Sequence, residues 1–425
     1  MVRDPDATDA AAVRDPWAAR RVLVAIWAIW AVCMLGFQEL AVARLNPERP
    51  DAVLSWTADE TGVRRASGRP YLAEPTGNTH VAFDSEYYVS IAVVGYDDSN
   101  VPQYVAVDGS ITPLNYAFLP VYPIAIRVVA APLGWLGMEP IAAATIAGIA
   151  VSLAAALAAM LALHALARQQ LGDEGGIRAA FYLLVFPSGF FLAQVYTEAI
   201  FLALALGALA FAADRRPLLA GLLATLAVLT RPVGIALVLA IGIGLFVAVR
   251  RWRAREGGTA APTHELAAWA VALVAPVAAY VVWSWSTWGR TFEVVQREYF
   301  GREMLNLDAA WDGWGRALTG FAEARPETRV YYGLEVAAVI LAGVACAWAI
   351  RRWPGPALFG LAVLFISLAS GEPQGMIRYV LAVPPVFLLL ARLGDHPAFD
   401  RGWTTASVLL LGLLAALYSF DFWVA

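Results

Sequence analysis

Two acids and two arginines stand where ionisable side chains are expensive, and each has a chemistry that accounts for it. Asp84 lies in Phe83-Asp84-Ser85-Glu86-Tyr87-Tyr88, within a long polar stretch between two apolar segments. A carboxylate held close to a membrane, in a partly apolar groove, can take the proton of an attacking hydroxyl. Asp is also favoured at a helix N-cap, and spacing alone does not separate the two. Glu86 is two residues on, points elsewhere on a helix, and is the weaker candidate. Glu198, in Val195-Tyr196-Thr197-Glu198, sits where one apolar segment ends and the next begins. Acids at such depth are often functional, although a glutamate can also snorkel from a loop.

Arg231, in Leu229-Thr230-Arg231-Pro232-Val233-Gly234, interrupts the apolar stretch 217–250. Broken membrane helices tend to line cavities, because their freed backbone groups need partners. An arginine there can bind an anionic lipid phosphate, or cap a tight turn. Arg378 and Tyr379 follow the polar run Ser370-Gly371-Glu372-Pro373-Gln374-Gly375. The charge of Arg378 belongs at headgroup depth, where it meets a lipid phosphate or anchors a span.

Other signals are weaker. Asp97-Asp98 lacks a third ligand and suits a turn. His80, His164, His264 and His396 are scattered and form no metal-ligand set. Cys33 and Cys346 lie in apolar segments and define no disulfide framework. There is no phosphate-binding glycine loop, hydrolase elbow or nucleotide-binding domain, which argues against a pump with its own ATPase; no metal ligand and no cofactor is assigned.

These residues need elements to hold them. Apolar runs long enough to span a bilayer occupy 22–43, 140–167, 178–195, 197–213, 217–230, 233–250, 266–288, 331–350, 356–370, 377–392 and 403–423. A further run, 118–136, is broken by Pro120, Pro123 and Pro132 and carries Arg127. Arginines in short loops mark the cytoplasmic side. The clusters Arg20–Arg21, Arg168 with Arg178, Arg215–Arg216, Arg250–Arg251–Arg253–Arg255, Arg351–Arg352, and Arg392 with Arg401 share one side if 118–136 lies at the outer surface.

That gives a cytoplasmic tail at 1–21 and one membrane domain over 22–425 with about eleven spans. Its outer loops are 45–139 and 289–330, and the C-terminus lies outside. Ala41-Val42-Ala43 resembles a signal cleavage site, but Gln38 and Glu39 interrupt the apolar region before it. Residues 51–80 look irregular, and 83–92 suits an amphipathic helix on the membrane.

Composition agrees. Of 425 residues, 60% are hydrophobic and 15% charged, where a soluble chain has about a quarter charged. Net charge is −4, which gives no case for nucleic acid as a partner. All 30 basic residues are arginine, a side chain that forks onto phosphate. The expected fold is therefore an all-α polytopic bundle, partnered by the lipid bilayer.

The order of motifs resembles a known family. Phe83-Asp84-Ser85-Glu86-Tyr87-Tyr88 and Gly95-Tyr96 come first, then Phe118-Leu119-Pro120-Val121-Tyr122-Pro123 and Phe186-Pro187-Ser188-Gly189-Phe190-Phe191. The Glu198 and Arg231 motifs follow, then Gln296 after Trp288-Gly289-Arg290, and last Arg378-Tyr379. From about residue 80 onward this resembles the PIG-V mannosyltransferases and their bacterial relatives. Where that family often has Trp before the acid, this chain has Phe83, and its first loop is longer over 45–80.

The resemblance implies a GT-C fold, with surface helices in the first outer loop. It implies inverting transfer of a sugar from a polyprenyl-phosphate donor to a glycolipid, glycan or protein acceptor. The catalytic base would be Asp84, and Arg231 and Arg378 would hold the donor phosphate. Glu86, Tyr122, Tyr196, Glu198, Gln296 and Tyr379 would bind substrate, on the outer face of the cell membrane. Two other readings keep parts of this: the same fold transferring another sugar such as glucose or a pentose, and a lipid or solute transporter. Transporters often carry internal repeats, and none is evident here.

Overall fold

The computed structural model describes residues 17–66, 69–254, 263–371 and 373–424. Residues 1–16 of the expected tail, Arg255 and Glu372 lie outside them. Among the described residues, the regular structure is helical apart from one hairpin and an isolated bridge between Arg302 and Gly371. A first long helix, α1 (Ala18–Arg44), leads into the polar loop, which holds α2 (Thr57–Ala66), α3 (Pro70–Ala73) and α4 (Ser85–Val93). Strands β1 (Gln103–Val105) and β2 (Ile111–Pro113) pair antiparallel with Tyr104 opposite Thr112. Then come α5 (Val121–Trp135), α6 (Pro140–Val185), α7 (Glu198–Ala213), α8 (Pro217–Val228), α9 (Leu237–Ala254) and α10 (Thr263–Trp285). Two amphipathic helices follow, α11 (Thr287–Glu298) and α12 (Leu307–Thr319). The chain continues as α13 (Pro326–Ala349), α14 (Pro354–Leu368), the short α15 (Met376–Tyr379), α16 (Pro384–Leu393) and α17 (Pro397–Ser419).

Among the described residues, six helical segments are long and apolar enough to cross a membrane: α1, α6, Pro232–Ala254, α10, α13 and α17. A seventh arises if Met376–Ala382 and Pro384–Leu393, bent by 81°, make one broken span. The expected spans 197–213, 217–230 and 356–370 are helices of 16, 12 and 15 residues. At 1.5 Å per residue these reach roughly 18–24 Å, less than a bilayer core of about 30 Å. The expected span 178–195 is helical only to Val185. Pro187 stops it, and Gly189–Ala193 continues as a 3-10 turn. Gly189 is required there, because a Cβ would lie 2.4 Å from the carbonyl oxygen of Leu184.

Close packing rests on small residues. A Cβ on Gly221 of α8 would lie 2.5 Å from Cα of Ala272 on α10. Helix α6 breaks at Gly172 (φ 70°), and the break sets Gly176 against His164.

Two expectations for the first loop change. Residues 51–80 contain α2 and α3, and Asp51 organises the entry by accepting the N–H groups of Ala52 (2.7 Å) and Val53 (3.1 Å). Helix α4 forms where expected, but every residue from Ser85 to Ala92 is buried. Its polar side chains meet protein partners instead of water. Ser85 Oγ is 3.1 Å from the Tyr418 hydroxyl, and Ser90 Oγ donates to Asp98 at 2.8 Å. An exposed apolar face belongs instead to α5, which shows Ile124, Val128 and Trp135 outward while Tyr122 and Ile126 pack inward.

The loops sort to two ends of the bundle. At one end, Gln296 reaches the carbonyl of Ala117 (2.7 Å) and Thr328 that of Val53 (2.7 Å). There too, the backbone N–H of Glu303 reaches the carbonyl of Ser370 (3.1 Å). At the other end, Arg178 and Arg392 share Asp395, and Gln170 meets the carbonyl of Arg352.

Candidate active site

Asp84 occupies the turn that starts α4. Phe83 before it has φ 48°, which places the Asp84 N–H 3.2 Å from the Tyr196 hydroxyl. Asp84 stands at the N-cap position, yet its carboxylate makes no capping bond; the first N–H groups of α4 go to the carbonyls of Ala82 and Phe83. Oδ2 instead lies 3.5 Å from Arg378 Nη1. The side chain keeps 28% of its surface open. Burial raises the Asp84 carboxyl above the usual carboxylate range, and the Arg378 charge partly opposes that rise. A carboxylate with this shift is a better proton acceptor than a free one.

Arg378 sits on α15 and is itself buried. Its Nε lies 3.3 Å from Glu198 Oε1, and Arg231 Nη1 donates to the same oxygen. Arg378, Glu198 and Asp84 thus form a charge chain, with Arg231 at its far end. Aromatic rings wall it. The Arg378 guanidinium stands 5.5 Å from the ring centres of Phe191 and Tyr196 and 5.6 Å from Tyr379. Arg231 lies 5.0 Å from Tyr379 as well. Such contacts hold a cation in an apolar setting and are worth about 0.5–2 kcal/mol each. Glu198 Oε2 and Arg378 Nε are buried without a hydrogen-bond partner. A small open-sided pocket of about 10 Å³ is lined by Glu198, Phe201, Arg231, Val363, Arg378 and Tyr379, and Asp84 connects to it through Arg378.

The structure therefore gathers Asp84, Tyr196, Glu198, Arg231, Arg378 and Tyr379, although they span almost 300 residues of chain. Three other residues expected to bind substrate are not brought to the cleft. Tyr122 is fully enclosed, its hydroxyl bonded to the Gly148 carbonyl (3.1 Å) and to Ser152 (2.9 Å). Gln296 is occupied in tying α11 to Ala117. Glu86 is fully buried, and its carboxylate lies 3.6 Å from Arg69. Burial lifts it to about 7. Asp98 has a structural setting, accepting from Tyr71, Ser90 and Asn100.

Sequence reading did not single out Arg302, which donates to the Tyr379 hydroxyl and to the Gln374 carbonyl (3.2 Å). It also passed over Glu335 and Tyr331 on α13. A lone glutamate in an apolar helix was a usable signal for Glu335; Arg302 was hidden among the many charges of its loop.

The sequence model of glycosyltransferase family 87 matches residues 119–371, more than half of the chain. This chain belongs to glycosyltransferase family 87. The matched segment of this family 87 member carries Glu198, Arg231 and Arg302, while Asp84 and Arg378 lie on either side of it. No curated protein matches the sequence. Solved structures similar to the family 87 chain include the Archaeoglobus fulgidus oligosaccharyltransferase with zinc and sulfate (17% identity, TM-score 0.46, covering 95% of this chain and 53% of that one). Another is AglB from the same organism with an inhibitory peptide and a dolichol-phosphate (15%, 0.42, 95% and 55%). A third is ArnT from Cupriavidus metallidurans bound to undecaprenyl phosphate (14%, 0.44, 87% and 76%). The chain spans about half the length of the oligosaccharyltransferases it matches.

Proposed function

We propose that this family 87 protein transfers a sugar from a polyprenyl-phosphate donor to an acceptor hydroxyl, with inversion, at the outer face of the membrane. The observation that carries the reading is the pairing of Asp84 with Arg378 at 3.5 Å beside an arginine-lined cleft. Inversion puts the base and the leaving phosphate on opposite faces of the attacked sugar carbon, so the donor sugar enters between Asp84 and Arg378.

The 3.5 Å contact is long for a charged hydrogen bond. A donor phosphate can replace Asp84 at Nη1 with little loss, since it brings its own negative charge. Asp84 then loses a counter-cation and becomes more basic as the acceptor arrives. The acceptor oxygen bonds to the sugar carbon, its proton passes to Asp84, and the carbon–phosphate oxygen bond breaks. The leaving phosphate keeps that electron pair, and Arg378 stabilises the charge. Arg231 is engaged by Glu198, so it acts on the phosphate as the second, more distant cation. Tyr196 and Tyr379 frame the sugar.

The sugar is read as mannose from the PIG-V-like motif order. Placement on the outer face is supported by the arginine clusters at the opposite end of the bundle. Incubating the purified chain with radiolabelled polyprenyl-phosphate mannose and a membrane-lipid extract tests the reading. Label should move to a new glycolipid or glycan product. Transfer from a different polyprenyl-phosphate sugar alone would replace mannose, and release of nothing but free sugar would exclude a transferase.

A further inference from the structure

Glu335 is a fully buried acid on α13, in a helix otherwise apolar enough to cross a membrane. Its oxygens accept two backbone N–H groups, Gly375 at 3.0 Å and Ile377 at 2.7 Å. Tyr331, one turn earlier, accepts the Gly375 N–H at 3.1 Å and the Trp423 indole N–H at 3.1 Å. On the carbonyl side, Ser188 donates to Ile377 at 2.8 Å.

These contacts bracket the start of α15, the four-residue helix that carries Arg378. So short a helix is far below the length that holds its own conformation, and its first N–H groups have no partner within it. Gly375 enters it with φ 77°. The direction of Arg378 is therefore set by neighbouring elements: α13 holds the N–H groups of Gly375 and Ile377, while Ser188 and Arg302 hold the carbonyls of Ile377 and Gln374. An acid buried among apolar neighbours is costly, so one that serves only to close two N–H groups calls for a reason beyond packing.

We propose that Glu335 is a positioning residue for Arg378, holding α15 so that the guanidinium reaches both Glu198 and Asp84. This rests on the reading of Arg378 as the donor-phosphate ligand.

The test measures binding of a polyprenyl monophosphate to the full-length purified chain. Wild type is compared with Glu335→Gln, Glu335→Ala, Arg378→Ala and the Glu335→Ala/Arg378→Ala double variant, and amide exchange over 373–379 is read on the same samples. Arg378→Ala should weaken binding roughly tenfold or more. Glu335→Ala should weaken it by a similar factor and speed exchange at Gly375 and Ile377. The double variant should bind no worse than Arg378→Ala. Glu335→Gln keeps one acceptor oxygen and should recover part of the affinity, which a general loss of packing would not show. Wild-type affinity in Glu335→Ala, or losses that add in the double variant, would overturn the proposal while leaving the role of Arg378 intact. Unchanged binding in Arg378→Ala would instead overturn the phosphate reading, and the assignment of Glu335 with it. Should Glu335→Ala fail to fold, Glu335→Gln alone and combined with Arg378→Ala decides by the same criterion.

Discussion

Arg378 Nη1 lies 3.5 Å from Asp84 Oδ2, and the two residues are 294 positions apart in the chain. The same guanidinium reaches Glu198 through Nε at 3.3 Å. One cation thus bridges two acids, and the longer of its two contacts is the one to Asp84. Substrate can break that contact first.

Replacing Asp84 with Asn separates catalysis from structure. Asn keeps the size of the side chain, and Asp84 makes no capping bond to lose. Turnover should fall by about 10²–10⁴-fold, with polyprenyl-phosphate affinity equal to wild type or tighter, because Arg378 is freed of one acid. Near-normal turnover in purified Asp84→Asn would place the base elsewhere.

In the Arg231–Glu198 pair the acid is buried and the arginine largely so, with side-chain exposures of 3% and 14%. Removing one partner of a buried pair strands the other and costs about 3–5 kcal/mol. Arg231→Met and Glu198→Gln should each lower the unfolding temperature in detergent. The double variant should be less damaged than the sum of the two. Additive losses would mean that the pair is not coupled.

Stability should depend on pH through Glu86. Burial holds this carboxyl at about 7, and Arg69 opposes the rise only in part. Its value in the unfolded chain is about 4.3. The native state therefore keeps a proton that the unfolded state releases, and stability falls as pH rises between those two values. The favourable contribution is complete below the unfolded value and gone above about 7. Thermal unfolding of Glu86→Gln in detergent should lack this component, a difference of a few kcal/mol at most. Superimposable pH profiles for variant and wild type would remove Glu86 as its source.

Sidedness can be read with an impermeant thiol reagent on intact cells. The exposed Cys33 must first be replaced, whereas Cys346 is buried. Single cysteines at the exposed positions Val107 and Asp312 should label from outside, and one at Arg352 should not. Labelling of position 352 alone would invert the orientation. Position 255, in the fourth arginine cluster, lies outside the described residues.

Much of the helical framework was legible because lipid imposes it. A run of apolar residues without charges can satisfy its backbone only by coiling, so the long helices lie where hydropathy puts them. The helix over α4 was legible too, but its burial was not. Ser85, Glu86 and Ser90 read as a wet face, and only packing against α3, α5 and α6 encloses them. The short helices α7, α8 and α14 read as spans because hydropathy measures solvent preference, whereas their ends are set by turns such as the one at Arg231.

From its sequence alone, this protein is committed to an apolar helical bundle with costly charges at Asp84, Glu198, Arg231 and Arg378. Each of those residues was conspicuous because a charge beside lipid needs a partner or a purpose. Which charge partners which was left open, since Coulomb attraction and hydrogen bonding depend on distances that no spacing along the chain encodes. Tertiary structure decided that Arg231 is held by Glu198, and that Arg378 is shared between Glu198 and Asp84. It also bonded Tyr122 to the Gly148 carbonyl and Gln296 to that of Ala117, and it brought in Arg302 and Glu335. The reason is physical: a four-residue helix carrying Arg378 has no direction of its own until α13 supplies the acid that holds it.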